Sequence, residues 1–314
     1  MSFSGEVKEE LSKHVSSARH CQLAELAALI QYNGKILSDE NENKVIKIQT
    51  ENLIVARKYF TLLRKTFNID TEIAESSLRE HTKVNTYVSC LNDVKAVNRV
   101  LQALKIVDKN GNYLTSMDVI NPMIVKNSCC KRAFLRGAYL AIGSMSDPEK
   151  SYHFELVCLS EAQAIQIRDI MIGFQVDAKI VVRKKYYVVY VKEGSGIVDL
   201  LNIMEAHVSL MNLENLRILK EMRNSINRRV NCEAANITKT VNAASKQIDD
   251  ILYIQKTAGF SCLQDNLREM AEVRIEHPEA TLKELGGYLD PPVGKSGVNH
   301  RLRKLSEFAD KLRR

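Results

Sequence analysis

The chain has 314 residues, of which 45% are hydrophobic and 26% charged, values typical of a soluble globular protein with two or three domains. Its net charge of +7 favours an anionic partner. Residues 1–17 are polar and charged, and no apolar run approaches the roughly 20 residues of a membrane helix, so we expect neither a signal peptide nor a membrane protein.

The cysteines and histidines predict no metal site. The seven cysteines are scattered and odd in number, which indicates reduced thiols in a cytoplasmic protein. No Cys-x-x-Cys pair occurs, Cys129 and Cys130 are adjacent, and the seven histidines share no metal spacing. We therefore expect no metal, no cofactor and no small-molecule ligand.

Residues 1–216 predict a tandem of two α+β halves. After a short amphipathic helix over Met1–Val15, the first half, at about 20–107, has the order helix, two strands, helix, two strands, helix: Cys21–Tyr32, Lys35–Ser38, Val45–Thr50, Asn52–Phe67, Thr71–Ser77, Val84–Leu91 and Asp93–Ile106. We interpret the second half, at about 129–207, as a repeat of this order, with one strand in place of the first two: Lys131–Gly143, Tyr152–Cys158, Ser160–Gly173, Val176–Arg183, Tyr186–Val191 and Gly196–Ala206.

The rest of the chain is basic and then helical. Between residues 217 and 246 seven Lys/Arg stand against two Asp/Glu, and we interpret residues 217–236 as a basic connector. Residues 237–314 predict an all-α domain, with a long helix over Ala234–Gln255 and another over Leu263–Glu276. Arg228, Arg229 and Lys239 are candidate phosphate contacts, and an ordinary solvated face is the alternative.

The stretch from Thr281 to Arg314 predicts a helix-turn-helix. Thr281 caps the first helix, with Glu284 in the capping-box position. The segment 290–294 stops that helix, and a second helix begins near Lys295 or Ser296. Apolar positions on the two helices form one buried stripe each: Leu282, Leu285 and Leu289, then Val298, Leu302, Leu305, Ala309 and Leu312.

The outer face of the second helix suits a nucleic acid. From Pro291 onward there are seven Lys/Arg and two Asp/Glu. Lys and Arg release counterions from DNA phosphates, and Arg and Asn make paired hydrogen bonds to guanine and adenine in the major groove. The alternative is a basic solvated helix that closes a bundle. The candidate DNA-binding residues are Thr281, Lys295, Ser296, Asn299, His300, Arg301, Arg303 and Lys304.

The first helix of each half resembles the LAGLIDADG motif of homing endonucleases. The two copies are Leu26–Gly34 (LAALIQYNG) and Leu135–Gly143 (LRGAYLAIG). The resemblance implies that these helices pack along a pseudo-twofold axis, where small residues let the backbones approach: Ala27, Ala28, Gly137 and Ala138. In that family the acid at the eighth position of each motif binds the catalytic metal ions.

The eighth positions of this sequence are Asn33 and Ile142, neither of which is an acid. A two-metal cut needs carboxylates to hold divalent cations, so we expect no catalytic residues and no cleavage. The last hairpin of the tandem carries Lys184 and Lys185, which suggest a further DNA contact. An ordinary solvated hairpin is the alternative there.

A degenerate LAGLIDADG tandem followed by a helix-turn-helix resembles the bacterial WhiA family. The matching stretches include Met1–Glu10, Cys129–His153, Asn227–Asn236 and Gly294–Leu302. The resemblance implies a nucleoid-associated, DNA-binding transcriptional regulator of sporulation or of cell division and chromosome segregation. Its expected partner is double-stranded DNA.

Two rival functions remain at this stage. The first is a metal-dependent nuclease that uses other acids, such as Glu25 or Asp147. The second is an adaptor whose N-terminal domain binds another protein and recruits it to DNA.

Overall fold

In a computed structural model, which describes residues 2–38, 43–76, 85–114 and 118–313, the chain divides into two units, Met1–Lys220 and Glu221–Arg314. The helix that contains this division begins at His207, much earlier than the predicted Ala234. The reason is local, since residues 207–257 contain neither Gly nor Pro to stop a helix. The predicted basic connector is therefore helical.

The first unit contains the predicted tandem. After α1 (Phe3–Lys13), the first half consists of α2 (Arg19–Asn33), β1 (Gly34–Ser38), β2 (Lys44–Thr50), α3 (Leu53–Phe67), β3 (Ile73–Ser76), β4 (Thr86–Leu91) and α4 (Val94–Ala103). The second half consists of α5 (Ser128–Ile142), β5 (Gly143–Met145), β6 (Phe154–Cys158), α6 (Glu161–Ile172), β7 (Lys179–Arg183), β8 (Tyr186–Val191) and α7 (Gly194–Met204).

The two sheets have the same antiparallel topology, with the strand orders β1-β2-β4-β3 and β5-β6-β8-β7. This equivalence confirms the predicted repeat of α+β halves. Sequence analysis missed β5, because its three residues follow α5 directly and are too few to show an alternating pattern. Ser77 and Val84, at the ends of two predicted strands, lie outside the described residues.

The motif helices α2 and α5 pack against each other at the centre of this unit. Ala28 and Ala138 are buried between them, as the motif predicts. Gly137 is required by the close approach, because a Cβ there would lie 2.6 Å from the carbonyl oxygen of Glu25 and 2.9 Å from the Cβ of Ala28.

Each sheet covers one side of this helix pair with its apolar face. In β2, Ile46 and Ile48 are buried beneath α3 and α4, whereas the alternate residues Lys47 and Gln49 point the other way. In β6, Phe154 and Leu156 are buried and Glu155 lies on the opposite face. The alternation leaves one polar face on each sheet.

The second unit is all-α. It contains the C-terminal part of α8 (His207–Thr257), a 3₁₀ turn at Phe260–Cys262, α9 (Asp265–Glu276), α10 (Leu282–Gly287) and α11 (Lys295–Arg313). Its core joins all four helices and includes Ile251, Ile254, Met270, Leu285, Leu289, Val298, Leu302, Leu305 and Ala309. The predicted inner stripes of the helix-turn-helix are confirmed. Of the residues described, none belongs to a helix long and apolar enough to cross a membrane.

Candidate nucleic-acid interface

A capping box fixes the start of α10. The hydroxyl of Thr281 accepts a hydrogen bond from the backbone N–H of Glu284 at 3.4 Å, and the Glu284 carboxylate accepts one from the N–H of Thr281 at 2.8 Å. Hydrogen bonding of the Glu284 carboxylate to Thr281, chiefly to its backbone N–H, lowers the pKa of Glu284. The predicted cap is confirmed, and it engages the Thr281 hydroxyl that we had assigned to DNA.

A close backbone contact then fixes the angle between α10 and α11. The N–H of Val293 donates to the carbonyl of Gly286 at 2.9 Å. A Cβ at Gly286 would lie 2.0 Å from the carbonyl oxygen of Val293, so a side chain at this position would push the turn away from α10. Gly286 therefore positions the second helix of the motif.

The outer face of α11 is exposed to solvent in this unit. Its inner positions Val298, Leu302 and Leu305 are at most 1% exposed. The predicted contact residues on the other side are exposed: Lys295, Ser296, Asn299, His300, Arg303 and Lys304. The fold thus separates a packing face from a polar and basic face along one helix.

Both candidate arginines on α11, Arg301 and Arg303, already have acidic partners. Arg301 is half-buried, donates to the carbonyl oxygen of Asn266 at 3.3 Å and lies 3.5 Å from the carboxylate of Glu269, so it fastens α11 to α9. Arg303 is exposed and pairs with Glu307 at 2.9 Å, one turn further along the helix. An exposed pair of this kind is weak, so Arg303 can exchange Glu307 for a DNA acceptor.

A groove of about 220 Å³ brings three candidate residues together. Lys239 of α8, Thr281 and Asn299 all line it. So does Arg274, a residue that sequence analysis missed. Arg274 is 3% exposed, and its Nη1 donates to the carbonyl of Ala280 at 2.7 Å, which holds the segment before the cap. No periodicity or motif marks Arg274, because its role depends on burial between α9 and that segment.

The remaining basic candidates are exposed. Arg228 and Arg229 lie on α8, and Arg229 pairs with Glu233 at 3.2 Å. Lys184 and Lys185 form the turn between β7 and β8 in the first unit. Whether any of them contacts phosphate stays a prediction.

Asn33, the residue at the eighth position of the first motif, lines a basic cleft. Asn33 ends α2 beside a cleft of about 860 Å³ that is lined by Lys8, Lys35 and Lys47 and by a single acid, Glu51. Burial lowers the pKa of Lys8 to about 8. A lining with three lysines and one carboxylate favours an anion over a divalent cation.

Glu25, one of the acids considered for a nuclease, is inaccessible. Its side chain is fully buried, and Arg136 donates two hydrogen bonds to it, at 3.1 and 3.2 Å. Lys58 lies 2.9 Å from the same carboxylate. Burial lowers the pKa of Lys58. Burial also acts to lower the pKa of Arg136, but the nearby carboxylates of Glu25 and Glu205 outweigh it, so that pKa is raised. The suggestion that Glu25 serves in cleavage is therefore wrong, because the carboxylate is enclosed and already neutralised.

The second such acid, Asp147, is exposed and has a local role. Its Oδ1 accepts a hydrogen bond from the backbone N–H of Glu149 at 3.0 Å, and its carbonyl accepts from Lys150 and Ser151. These contacts are those of a turn.

Three family models match successive parts of the chain. They are described as the WhiA N-terminal LAGLIDADG-like domain (residues 19–107), the WhiA LAGLIDADG-like domain (131–223) and the WhiA C-terminal HTH domain (226–309). A protein of Lachnoclostridium phytofermentans named probable cell division protein WhiA is 58% identical over 313 residues, which is 100% of both chains. The chain belongs to the WhiA family.

Further WhiA proteins agree with this assignment. A relative of the same name from Alkaliphilus oremlandii is 49% identical and spans 99% of this chain and 98% of its own. The crystal structure of full-length WhiA from Thermatoga maritima matches with a TM-score of 0.59 and 24% identity, over 99% of each chain. The predicted fold, a LAGLIDADG-like tandem followed by a helix-turn-helix, is confirmed.

The candidate features lie in different WhiA domains. The C-terminal HTH domain contains the candidate residues of α11 and the groove beside them. The two LAGLIDADG-like domains contain the buried Glu25–Arg136 pair and most of the lining of the basic cleft, whereas Lys8 of that cleft lies before them. The sequence alone revealed neither feature. Neither the lysines of a cleft nor an ion pair between two distant helices has a characteristic spacing along the sequence, so no sequence pattern predicts them.

Proposed function

We propose that this WhiA chain is a non-enzymatic, sequence-specific DNA-binding regulator of transcription. The observation that carries the proposal is the exposed row of Asn299, His300 and Arg303 on a helix whose opposite face is fully packed. A helix-turn-helix places such a row in the major groove of DNA. The cap at Thr281 and the Gly286 contact hold that helix rigidly on the unit.

The chemistry of the row suits the reading of bases. Asn299 matches the N6 and N7 edge of adenine, and Arg303 matches the O6 and N7 edge of guanine. Lys239 and Lys295 flank the row and suit phosphates, which fix the register of the helix without reading sequence. Neither the proposed base contacts nor the proposed phosphate contacts require a bound metal or cofactor.

The first unit has the form of a nuclease domain without its acids. Asn33 and Ile142 occupy the eighth motif positions, and Glu25 is sequestered by Arg136. In our proposal this unit does not cut DNA, and Lys184 and Lys185 add phosphate contacts from its exposed hairpin. In our proposal the same unit is also the part of the chain to which a protein partner binds.

The cellular role in the proposal rests on relatives. Proteins up to 58% identical to this chain carry the name probable cell division protein WhiA. We extend that role to this chain and place it on the nucleoid, with sporulation and chromosome segregation as processes that its target genes serve.

The decisive experiment maps chromosomal sites bound by the full chain and by an Asn299→Ala, Arg303→Ala variant. We expect discrete sites with a common sequence motif for the unaltered protein, and loss of that motif for the folded variant. Identical maps would contradict base readout by α11.

A second experiment tests the absence of cleavage. The purified chain is incubated with supercoiled plasmid and Mg²⁺ or Mn²⁺, and we expect no nicking. Nicking that disappears in Asp147→Asn would establish the nuclease instead, since Asp147 is the exposed acid of the rival reading.

A further inference from the structure

Four metal-ligating side chains meet at one end of the central helix pair. His20 and Cys21 are the second and third residues of α2, and Cys129 and Cys130 are the second and third residues of α5. Because α2 and α5 are equivalent helices of the two halves and pack against each other, their first turns lie side by side. Each half of the tandem thus supplies two of the four side chains.

The spacing of the ligand atoms fits a single ion. One ligand atom from each of the four residues lies within 4.8 Å of all the others. The Nδ1 of His20 is 3.2 Å from the sulfur of Cys130, 3.3 Å from that of Cys21 and 3.9 Å from that of Cys129. In a tetrahedral zinc site, with Zn–S about 2.3 Å and Zn–N about 2.0 Å, ligand atoms lie about 3.5–3.8 Å apart.

The donor set selects the kind of metal. Three thiolates and one imidazole form a Cys₃His set, which is typical of structural zinc sites and unlike the oxygen ligands that Mg²⁺ and Ca²⁺ take. The site is also reachable, because His20 and Cys129 are exposed while Cys21 and Cys130 are buried beneath them. An ion can therefore enter from solvent and contact all four ligands.

We propose that His20, Cys21, Cys129 and Cys130 form a tetrahedral Zn²⁺ site that ties the first turns of α2 and α5 together. The expectation of no metal rested on spacing along the chain, which does not describe ligands brought together by two different helices. Adjacent side chains on a helix diverge, yet both sulfurs of the Cys129–Cys130 pair lie within 3.9 Å of the His20 ring nitrogen.

The test measures zinc bound by the full chain. The protein is purified under reducing conditions, incubated with Zn²⁺, passed through a desalting column and analysed for metal content. We expect one zinc ion per chain in the unaltered protein and none in Cys129→Ser or His20→Asn. Both substitutions are at exposed positions and leave the helix pair folded, which circular dichroism checks. Cys90→Ser, an exposed cysteine of the same unit outside the cluster, is the matched control and should retain the ion.

Replacement of zinc by Co²⁺ reports the ligands directly. We expect visible bands of tetrahedral cobalt and a near-ultraviolet thiolate charge-transfer band, with the latter reduced in Cys129→Ser. The proposal is overturned by a folded chain that binds no zinc, by equal zinc in the unaltered protein and both ligand variants, or by a Cys21–Cys130 disulfide in place of the metal.

Discussion

Arg136 of the second motif helix holds the carboxylate of Glu25 of the first with two hydrogen bonds, of 3.1 and 3.2 Å, and both side chains are buried. The pair crosses the interface between the two LAGLIDADG-like halves of this chain. Glu25 is the one acid in α2, and its ion pair with Arg136 links the two halves. The carboxylate is therefore unavailable for metal-assisted chemistry.

Loss of this ion pair should destabilise the first unit. Arg136→Met removes the guanidinium that Glu25 and Glu205 share but leaves Lys58 beside the Glu25 carboxylate, so we expect the free energy of unfolding to fall by about 3 kcal/mol, the lower end for a broken buried pair. Hydrogen exchange of the α2 and α5 amides measures the change. Arg132→Met on the same helix, which removes a cation–π contact with Phe174, should lose only about 0.5–1 kcal/mol. Equal protection in Arg136→Met and the unaltered chain would show that the pair adds nothing.

Two neighbouring glycines in α10 should respond differently to the same change. Gly286→Ala forces a Cβ against the carbonyl of Val293, and we expect it to destabilise the second unit by about 1–3 kcal/mol and to weaken DNA binding. Gly287→Ala adds a Cβ with no heavy atom within 4 Å, so it should be neutral or slightly stabilising. Thermal unfolding of the full chain compares the two, and indistinguishable midpoints would disprove the role given to Gly286.

Base readout by α11 should appear as a loss of discrimination. Asn299→Ala and Arg303→Ala should each lower the affinity for the mapped operator by about 1–3 kcal/mol, with a smaller loss on random DNA. Glu307→Gln removes the acid that pairs with Arg303 and should raise the affinity for both DNAs. Fluorescence anisotropy on the two duplexes measures these differences. Equal losses of affinity for operator and random DNA would show that Asn299 and Arg303 contact only phosphates.

Lys239 should act on phosphate alone. Lys239→Ala should weaken binding uniformly across sequences and reduce the slope of log affinity against log salt by about 1. Lys256→Ala, an exposed lysine near the end of the same helix, serves as the comparison and should leave the slope unchanged. A slope unaffected by Lys239→Ala would place the DNA away from the groove beside Asn299.

The cleft lysine Lys8 should make stability depend on pH. Burial lowers its pKa from 10.5 to about 8 in the folded chain, so between these values the unfolded chain binds more protons than the folded chain. The contribution of Lys8 to the free energy of unfolding therefore rises as the pH increases from about 8 to 10.5. Urea unfolding at pH 7.5, 9 and 10.5 should show this increment in the unaltered chain and not in Lys8→Met. Parallel pH profiles for the two proteins would mean that Lys8 titrates normally.

Much of the second unit was predictable because its signals are local. The capping box needs only Thr281 and Glu284, and the inner stripe of α11 follows from apolar residues three to four apart. The start of α8 was not predicted, since a helix without an interruption shows no boundary between its exposed and its packed part. Arg274 was missed for a related reason: burial of an arginine is decided by its neighbours in space.

By itself the sequence determined the repeat, the two motif helices, their lack of an acid at the eighth position and the polar face of α11, because each of these features depends on residues that are close together in the chain. The tertiary structure alone decided that Glu25 meets Arg136 and that His20 and Cys21 meet Cys129 and Cys130. Those contacts depend on how two helices from distant parts of the chain pack together, and a crossing of that kind leaves no period or spacing in either segment.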